Sequence, residues 1–223
     1  MFDRKTVETH VPKIDPSVVS GFSIHDTAKI SDAMAKYGTL RGVYPLSRGM
    51  HVCGRAVTVA CEPGDKESIF EAVETAEPGD ILVIAAGGKT GLASIDRGIL
   101  SAVRAKQLTG IVLDGQVRDR NAWIEDCFPV FCRGTALEYV KTHGPCRING
   151  EISCAGLLIH AGDLVVGDDD GVAVVPGTDL TRVLSMTDAH LSTENSWQPK
   201  FDAGVTMTEL FGCEPKIDKW REK

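Results

Sequence analysis

Arg118 and Asp119 close the stretch SIDRGILSAVRAKQLTGIVLDGQVRD, residues Ser94–Asp119. A guanidinium presents two parallel donors that match a carboxylate. An aspartate beside it suits a hard divalent cation such as Mg²⁺, which keeps several of its waters. Asp96 adds a second acid near the start of the stretch. Arg97, Gly98 and Ile99 then open an amphipathic helix whose unpaired amides could receive an anion. These groups together suit a 2-oxo acid with its carboxylate on Arg118 and its carbonyl on the metal. That arrangement stabilises the enolate left when a 4-hydroxy-2-oxo acid is cleaved between carbons. The same residues also suit a surface turn at Arg118-Asp119 and a plain N-cap at Asp96. Residue types alone leave both readings open.

The elements that must position them alternate strand and helix. Val52–Ala60 reads as a strand, and the turn Glu62–Asp65 (EPGD) leads to a helix at about Lys66–Thr75. A second EPGD, Glu77–Asp80, launches Ile81–Ala85, apolar throughout as in a strand covered on both faces. A glycine-rich loop at Gly87–Gly91 precedes the Arg97–Gln107 helix, with Ile99, Leu100 and Val103 inward, and the buried strand Ile111–Leu113. This βαβ order predicts a parallel sheet with ligands beyond its carboxyl ends. Upstream, helices are expected near Asp15–Ser20 and over Thr27–Tyr37, the latter closed by Gly38. Downstream, Pro129–Cys132, Arg147–Ile152, Leu157–His160, Asp163–Val166 and Val172–Val175 read as short antiparallel strands, with a hairpin at Asp170-Gly171. A helix at about Asp179–Leu191 and a C-terminal arm from about residue 197 complete a single α/β domain over 1–223, a parallel central sheet layered with an antiparallel one.

Composition removes several function classes. The 24 Lys+Arg against 31 Asp+Glu give a net charge of −7, and no basic run suggests nucleic acid. No apolar stretch approaches the ~18 residues of a membrane span, and Met1–His10 is too polar for a signal peptide. The seven cysteines (Cys53, Cys61, Cys127, Cys132, Cys146, Cys154 and Cys213) show no CxxC spacing. They read as reduced, mostly buried thiols of a cytoplasmic protein. His25 and His51 read as surface or capping residues. Gly87–Thr90 (GGKT) lacks the first glycine of a P-loop, since Val83 stands there. Asp168–Gly171 lacks the glycine and glutamate of an EF-hand and reads as a hairpin turn. A Schiff-base aldolase through Lys89 would need a lowered lysine pKa.

Three blocks in order, GIVLDGQVRD (Gly110–Asp119), PVFCRG (Pro129–Gly134) and AGDLVVGDDDGVAVVP (Ala161–Pro176), resemble the RraA-like family. That family includes class II 4-hydroxy-4-methyl-2-oxoglutarate / 4-carboxy-4-hydroxy-2-oxoadipate aldolases. The similarity runs from about Thr27 to Gly212. It implies a swivelling β/β/α fold, homotrimers or hexamers with sites between subunits, and Mg²⁺ or Mn²⁺. It also implies cleavage of a small oxo acid to pyruvate, with oxaloacetate decarboxylation alongside. Arg118 matches the family's substrate-binding arginine, Asp119 its metal-binding aspartate, and the Gly98 and Ile99 amides its carboxylate seat. Glu194 lies near an acid that the family brings from a neighbouring subunit. The aldolases place an acid, twenty residues and then Arg-Asp; here that first position is Arg97, with Asp96 one residue earlier. Either Asp96 takes over, or Arg97 binds a further carboxylate. Ala122 stands where aldolases often carry another acid. The resemblance extends equally to regulators that inhibit ribonuclease E by contact, so a non-catalytic protein-binding role is the alternative.

Overall fold

The computed structural model describes residues 5–212. Its elements run, in chain order, β1 (Thr6–Val7), α1 (Pro16–Phe22), α2 (Thr27–Ala33), β2 (Tyr44–Pro45), β3 (Val52–Ala60), α3 (Lys66–Thr75), β4 (Ile81–Ala85) and β5 (Ala93–Ile95). There follow α4 (Arg97–Ala105), β6 (Gly110–Asp114), β7 (Gln116–Val117), α5 (Arg120–Glu125), β8 (Val130–Cys132) and β9 (Arg147–Ile148). Last come β10 (Ile152–Cys154), β11 (Leu157–Ile159), β12 (Leu164–Asp168), β13 (Gly171–Val175), α6 (Leu180–Asn195), α7 (Trp197–Asp202) and α8 (Met207–Phe211).

The fold is mixed α/β, with a large, mostly parallel sheet and a small antiparallel one. The large sheet holds nine strands, and β3, β4, β6 and β8 form its parallel centre. Strands β4 and β6 are buried along their whole length, as the apolar runs Ile81–Ala85 and Ile111–Leu113 require, and Asp114 at the end of β6 is buried with them. The upstream half of β3 takes β12 as an antiparallel neighbour, and β13 closes the hairpin on β12. The antiparallel pair β10–β11 and the parallel pair β5–β7 are separate small sheets. The main core joins Ile69 and Val73 of α3 and Ile99 and Val103 of α4 to the central strands. A second cluster packs Phe22, Ile30 and Val183 of α1, α2 and α6 on Leu164, Val166, Ala173 and Val175 of the hairpin.

Several expectations are corrected. Strand β8 pairs with β6 in parallel, extending the central sheet rather than the antiparallel part. Helix α2 stops at Ala33, because Ala35 and Lys36 turn left-handed. Gly38 is needed instead where the chain meets the hairpin, since a Cβ there would collide with the Val174 carbonyl. His25 is not at the surface: it is 2% exposed, and its Nε2 lies 2.9 Å from Asp188 on α6. The arm from Trp197 forms two short helices, with the Trp197 ring edge-on to Phe211 at 5.2 Å. Cys213 and the end of the arm lie outside the described residues.

Both EPGD segments make the same turn for the same reason. Proline presets the first corner, glycine supplies a positive φ at the second (87° at Gly64, 90° at Gly79), and the aspartate amide closes on the glutamate carbonyl. The two aspartates then act differently. Asp65 caps α3 through the Ser68 amide at 3.1 Å. Asp80 forms a buried two-point pair with Arg55 of β3, at 2.8 and 2.7 Å.

Candidate active site

The short parallel pair β5–β7 brings the candidate residues together. A bulge lies between Ala93 and Ile95, after which Ile95 stands opposite Val117. Continued by one residue, that register sets Asp96 against Arg118, and by two it sets Arg97 against Asp119. The contacts agree. The Arg118 amide donates to the Ile95 carbonyl at 2.9 Å, and Arg118 Nη2 reaches Asp96 Oδ2 at 3.2 Å. The Arg97 amide donates to Asp119 Oδ2 at 3.2 Å. Asp96 therefore faces Arg118 although one extra residue separates them relative to the aldolase spacing.

Asp96 carries two tasks. Its Oδ1 accepts from the Gly98 amide at 3.0 Å and caps α4. Its Oδ2 receives both Arg118 and Lys66. The side chain is only 9% exposed. Burial pushes its carboxyl up, but the Lys66 hydrogen bond and charge, the Gly98 amide and Arg118 outweigh this and hold it below the usual carboxylate range. Asp96 is thus ionised at neutral pH. Arg97 points outward and is exposed. It borders a groove of about 400 Å³ between α4 and α5, also lined by Ser101, Arg104, Glu125 and Asp126. Ala122 lines the same groove.

The Gly98 and Ile99 amides, expected to seat a substrate carboxylate, are already engaged: Gly98 with the Asp96 side chain and Ile99 with the Asp96 carbonyl at 3.0 Å. The structure uses them to cap the helix, so an anion would have to displace that cap. Glu194, at the end of α6, lies 3.5 Å from Lys29. Lys89 is 58% exposed and pairs with Glu62 at 2.9 Å, the setting of a solvated loop lysine rather than a Schiff-base amine.

Asp119 could hold a cation. Its backbone is left-handed (φ 58°), a conformation that Asp and Asn tolerate better than most residues. The side chain is 41% exposed, and beyond the Arg97 amide its nearest partner is Arg118 Nε at 3.9 Å. Open lone pairs on an exposed carboxylate fit a cation that keeps most of its waters. Among the described residues no group of three or more His, Cys, Asp or Glu converges on one point, so a closed, all-protein cage does not fit.

Two site residues were invisible to local spacing. Lys66 is the first residue of α3, 30 positions before its partner Asp96. Tyr139 lies between β8 and β9; its ring centroid is 4.2 Å from Lys66 Nζ and 5.4 Å from Arg118 Cζ, so both cations rest on one aromatic platform. The Tyr139 hydroxyl donates to the Gly64 carbonyl at 3.2 Å. Behind the site, Asp114 at the end of β6 is paired with Arg133 and accepts the Ala155 amide at 2.8 Å, which ties three loops together.

A family model described as RraA-like, Aldolase/RraA, matches residues 27–174. This chain belongs to the RraA-like family. A protein of Halalkalibacterium halodurans named "Putative 4-hydroxy-4-methyl-2-oxoglutarate aldolase" is 38% identical over 167 residues, which span 74% of this chain and 80% of that one. The crystal structure of Streptomyces coelicolor RraAS2, described as an unusual member of the RNase ES inhibitor RraA protein family, is similar with a TM-score of 0.74. Its identity is 26%, over 84% of this chain and 98% of that one. An uncharacterized protein from Pseudomonas syringae pv. tomato shares the fold with a TM-score of 0.77 at 24% identity, covering 89% and 98% of the two chains. The RraA-like core thus spans the Asp96–Arg118–Asp119 cluster. No helix among the described residues is long and apolar enough to cross a membrane.

Proposed function

We propose that this RraA-like protein is a divalent-metal-dependent carbon–carbon lyase. Its substrate is a small 4-hydroxy-2-oxo acid, cleaved to pyruvate and a second oxo acid, with oxaloacetate decarboxylation as a related activity. The observation that carries the reading is Arg118, poised between Asp96 and the Tyr139 ring with exposed Asp119 beside it, near the carboxyl ends of parallel strands. The aldolase name of the 38% identical relative supports the same reading.

Arg118 binds the substrate carboxylate with two parallel hydrogen bonds. Lys66 adds positive charge on the same side and suits a substrate with a second carboxylate, as does exposed Arg97. Asp119 would hold Mg²⁺ or Mn²⁺, which supplies Lewis-acid polarisation of the 2-oxo group. Asp96, ionised and fixed by Lys66 and Arg118, accepts a hydrogen bond from the C4 hydroxyl or from a water that takes its proton. Tyr139 covers the two cations, excludes water from one side and strengthens their hold on anions. We infer a homotrimer or hexamer, with Glu194 reaching a neighbouring subunit.

A second reading is a regulator that binds a protein partner such as a ribonuclease. The RraAS2 likeness favours it, as does Asp96 being neutralised by two cations. Metal-dependent pyruvate release separates the two. Release lost in EDTA and in Asp119→Asn supports the lyase; no enzyme-dependent release from oxaloacetate or a 4-hydroxy-2-oxo dicarboxylic acid contradicts it for those substrates.

A further inference from the structure

Strand β9 runs antiparallel to β3, with Val59 opposite Ile148 and Ala60 opposite Arg147. The next step of this register sets Cys61 opposite Cys146. Contacts on either side hold the two segments together there. Beyond the pair the two segments stay close, since a Cβ on Gly144 would lie 3.1 Å from Glu62 Cγ. The Asn149 amide donates to the Thr58 carbonyl at 2.8 Å, three steps before the pair.

The hydrogen bonds also fix the kind of pair. The Cys61 amide turns away to the Ala85 carbonyl at 3.1 Å, and the Cys146 carbonyl accepts from the Thr6 amide at 3.0 Å on the other side. Cys61 and Cys146 thus fall at a non-hydrogen-bonded position of the continued register, where opposed Cα atoms are typically ~4.5 Å apart with both side chains on one face, and the Cys146 thiol is close enough to act on the Cys61 thiol. Disulfides span Cα separations of ~4.4–6.8 Å, a range that includes the spacing of such a pair. Cys146 is buried and Cys61 half-buried, and both are free thiols.

We propose that Cys61 and Cys146 are a site of disulfide formation by exchange with low-molecular-weight disulfides. One thiolate attacks a sulfur of the oxidant, giving a mixed disulfide and releasing one small thiol. The second thiolate attacks the protein sulfur of that mixed disulfide, forming the Cys61–Cys146 bond and releasing the second small thiol. The two protein thiols lose two protons and two electrons, and the oxidant is reduced to two thiols. The bond joins the bases of the two segments that carry Lys66 and Tyr139. These segments already touch where Tyr139 meets Gly64 and where Thr142 Oγ1 donates to the Pro63 carbonyl at 2.8 Å. Burial, followed by Asp65, the facing thiol and Glu62, pushes the Cys61 thiol up to about 12. Exchange is accordingly slow at neutral pH and faster in mild alkali.

The test is to incubate the reduced, folded protein with oxidised glutathione at mildly alkaline pH overnight, alkylate the remaining thiols, and map peptides without reduction. The expected result is a linked peptide pair containing Cys61 and Cys146, with both sites lost from the alkylated pool and recovered by dithiothreitol. Amide exchange over 62–66 and 138–145 should slow in the oxidised form. The linked pair should vanish in Cys61→Ser and in Cys146→Ser. Full alkylation of both residues in the wild type, or their linkage to other cysteines instead, overturns the proposal whether or not the variants fold.

Discussion

Lys66 reaches the Oδ2 oxygen of Asp96 from the first turn of a different helix, so one carboxylate caps α4 and holds the ammonium that begins α3. The pairing makes Asp96 an ion rather than an acid. Lys66→Met removes a cation that lowers its titration, so the Asp96 titration should rise. A depressed folded-state carboxyl contributes stability above its unfolded pKa and loses it as pH falls through the folded one. Lys66→Met should flatten the acid side of the stability profile. Carboxyl NMR of Asp96 in both proteins checks this, and an unmoved titration contradicts it.

Tyr139 separates platform from anchor. Tyr139→Phe keeps the ring under Lys66 and Arg118 and loses one hydrogen bond to Gly64, costing about 1 kcal/mol of stability. Tyr139→Ala removes the ring as well. Affinity for a pyruvate-like anion such as oxalate, measured by calorimetry, should fall clearly more in Tyr139→Ala than in Tyr139→Phe. Equal losses would mean that the ring does not support the cations.

The buried Arg55–Asp80 pair predicts a stability effect away from the chemistry. Asp80→Ala strands a buried guanidinium and should cost about 3–5 kcal/mol in urea unfolding. Lys89→Ala, which breaks an exposed pair, should cost at most about 1 kcal/mol. A small loss in Asp80→Ala would show that Glu77 alone satisfies Arg55.

Asp96 and Arg97 give opposite expectations for turnover. Asp96→Asn keeps the cap but removes the charge, and should lower pyruvate release about 10²-fold or more if the carboxylate moves a proton. Arg97→Ala should leave kcat within a few-fold and act mainly on the KM of substrates with a second carboxylate, because its side chain is exposed beyond the cluster. Steady-state kinetics of both variants on one substrate decide the matter; a larger loss in Arg97→Ala would reassign the acid position.

Much of this was legible in the residues. Apolar runs such as Ile81–Ala85 and Ile111–Leu113 are parallel core strands because nothing polar along them could face water. Arg118, Asp119 and Asp96 read as chemistry only with the three blocks that resemble the RraA-like family beside them, because an Arg-Asp turn and an N-cap aspartate are each common alone. What spacing concealed was register. A single bulge in β5 decides that Asp96, not Arg97, faces Arg118, and a count along the chain cannot see a bulge. Lys66 and Tyr139 were hidden because their meeting depends on how the 62–65 turn and the 135–145 segment fold over one another. The sequence offers Asp96 both as an N-cap and as a site acid; it does not show that its side chain takes the Gly98 amide while its carbonyl takes that of Ile99. His25 reads from its sequence neighbours as a surface or capping residue, but helix α6 covers it.

The most direct test is pyruvate release from oxaloacetate and from a 4-hydroxy-2-oxo dicarboxylic acid, with Mg²⁺ and with EDTA, in wild type and in Asp119→Asn. Asparagine keeps the left-handed backbone and an acceptor for the Arg97 amide while removing the charge. The expected result is enzyme-dependent release with Mg²⁺ that is lost both in EDTA and in the folded variant. Release that survives EDTA or the loss of the Asp119 charge would contradict a metal lyase at this site.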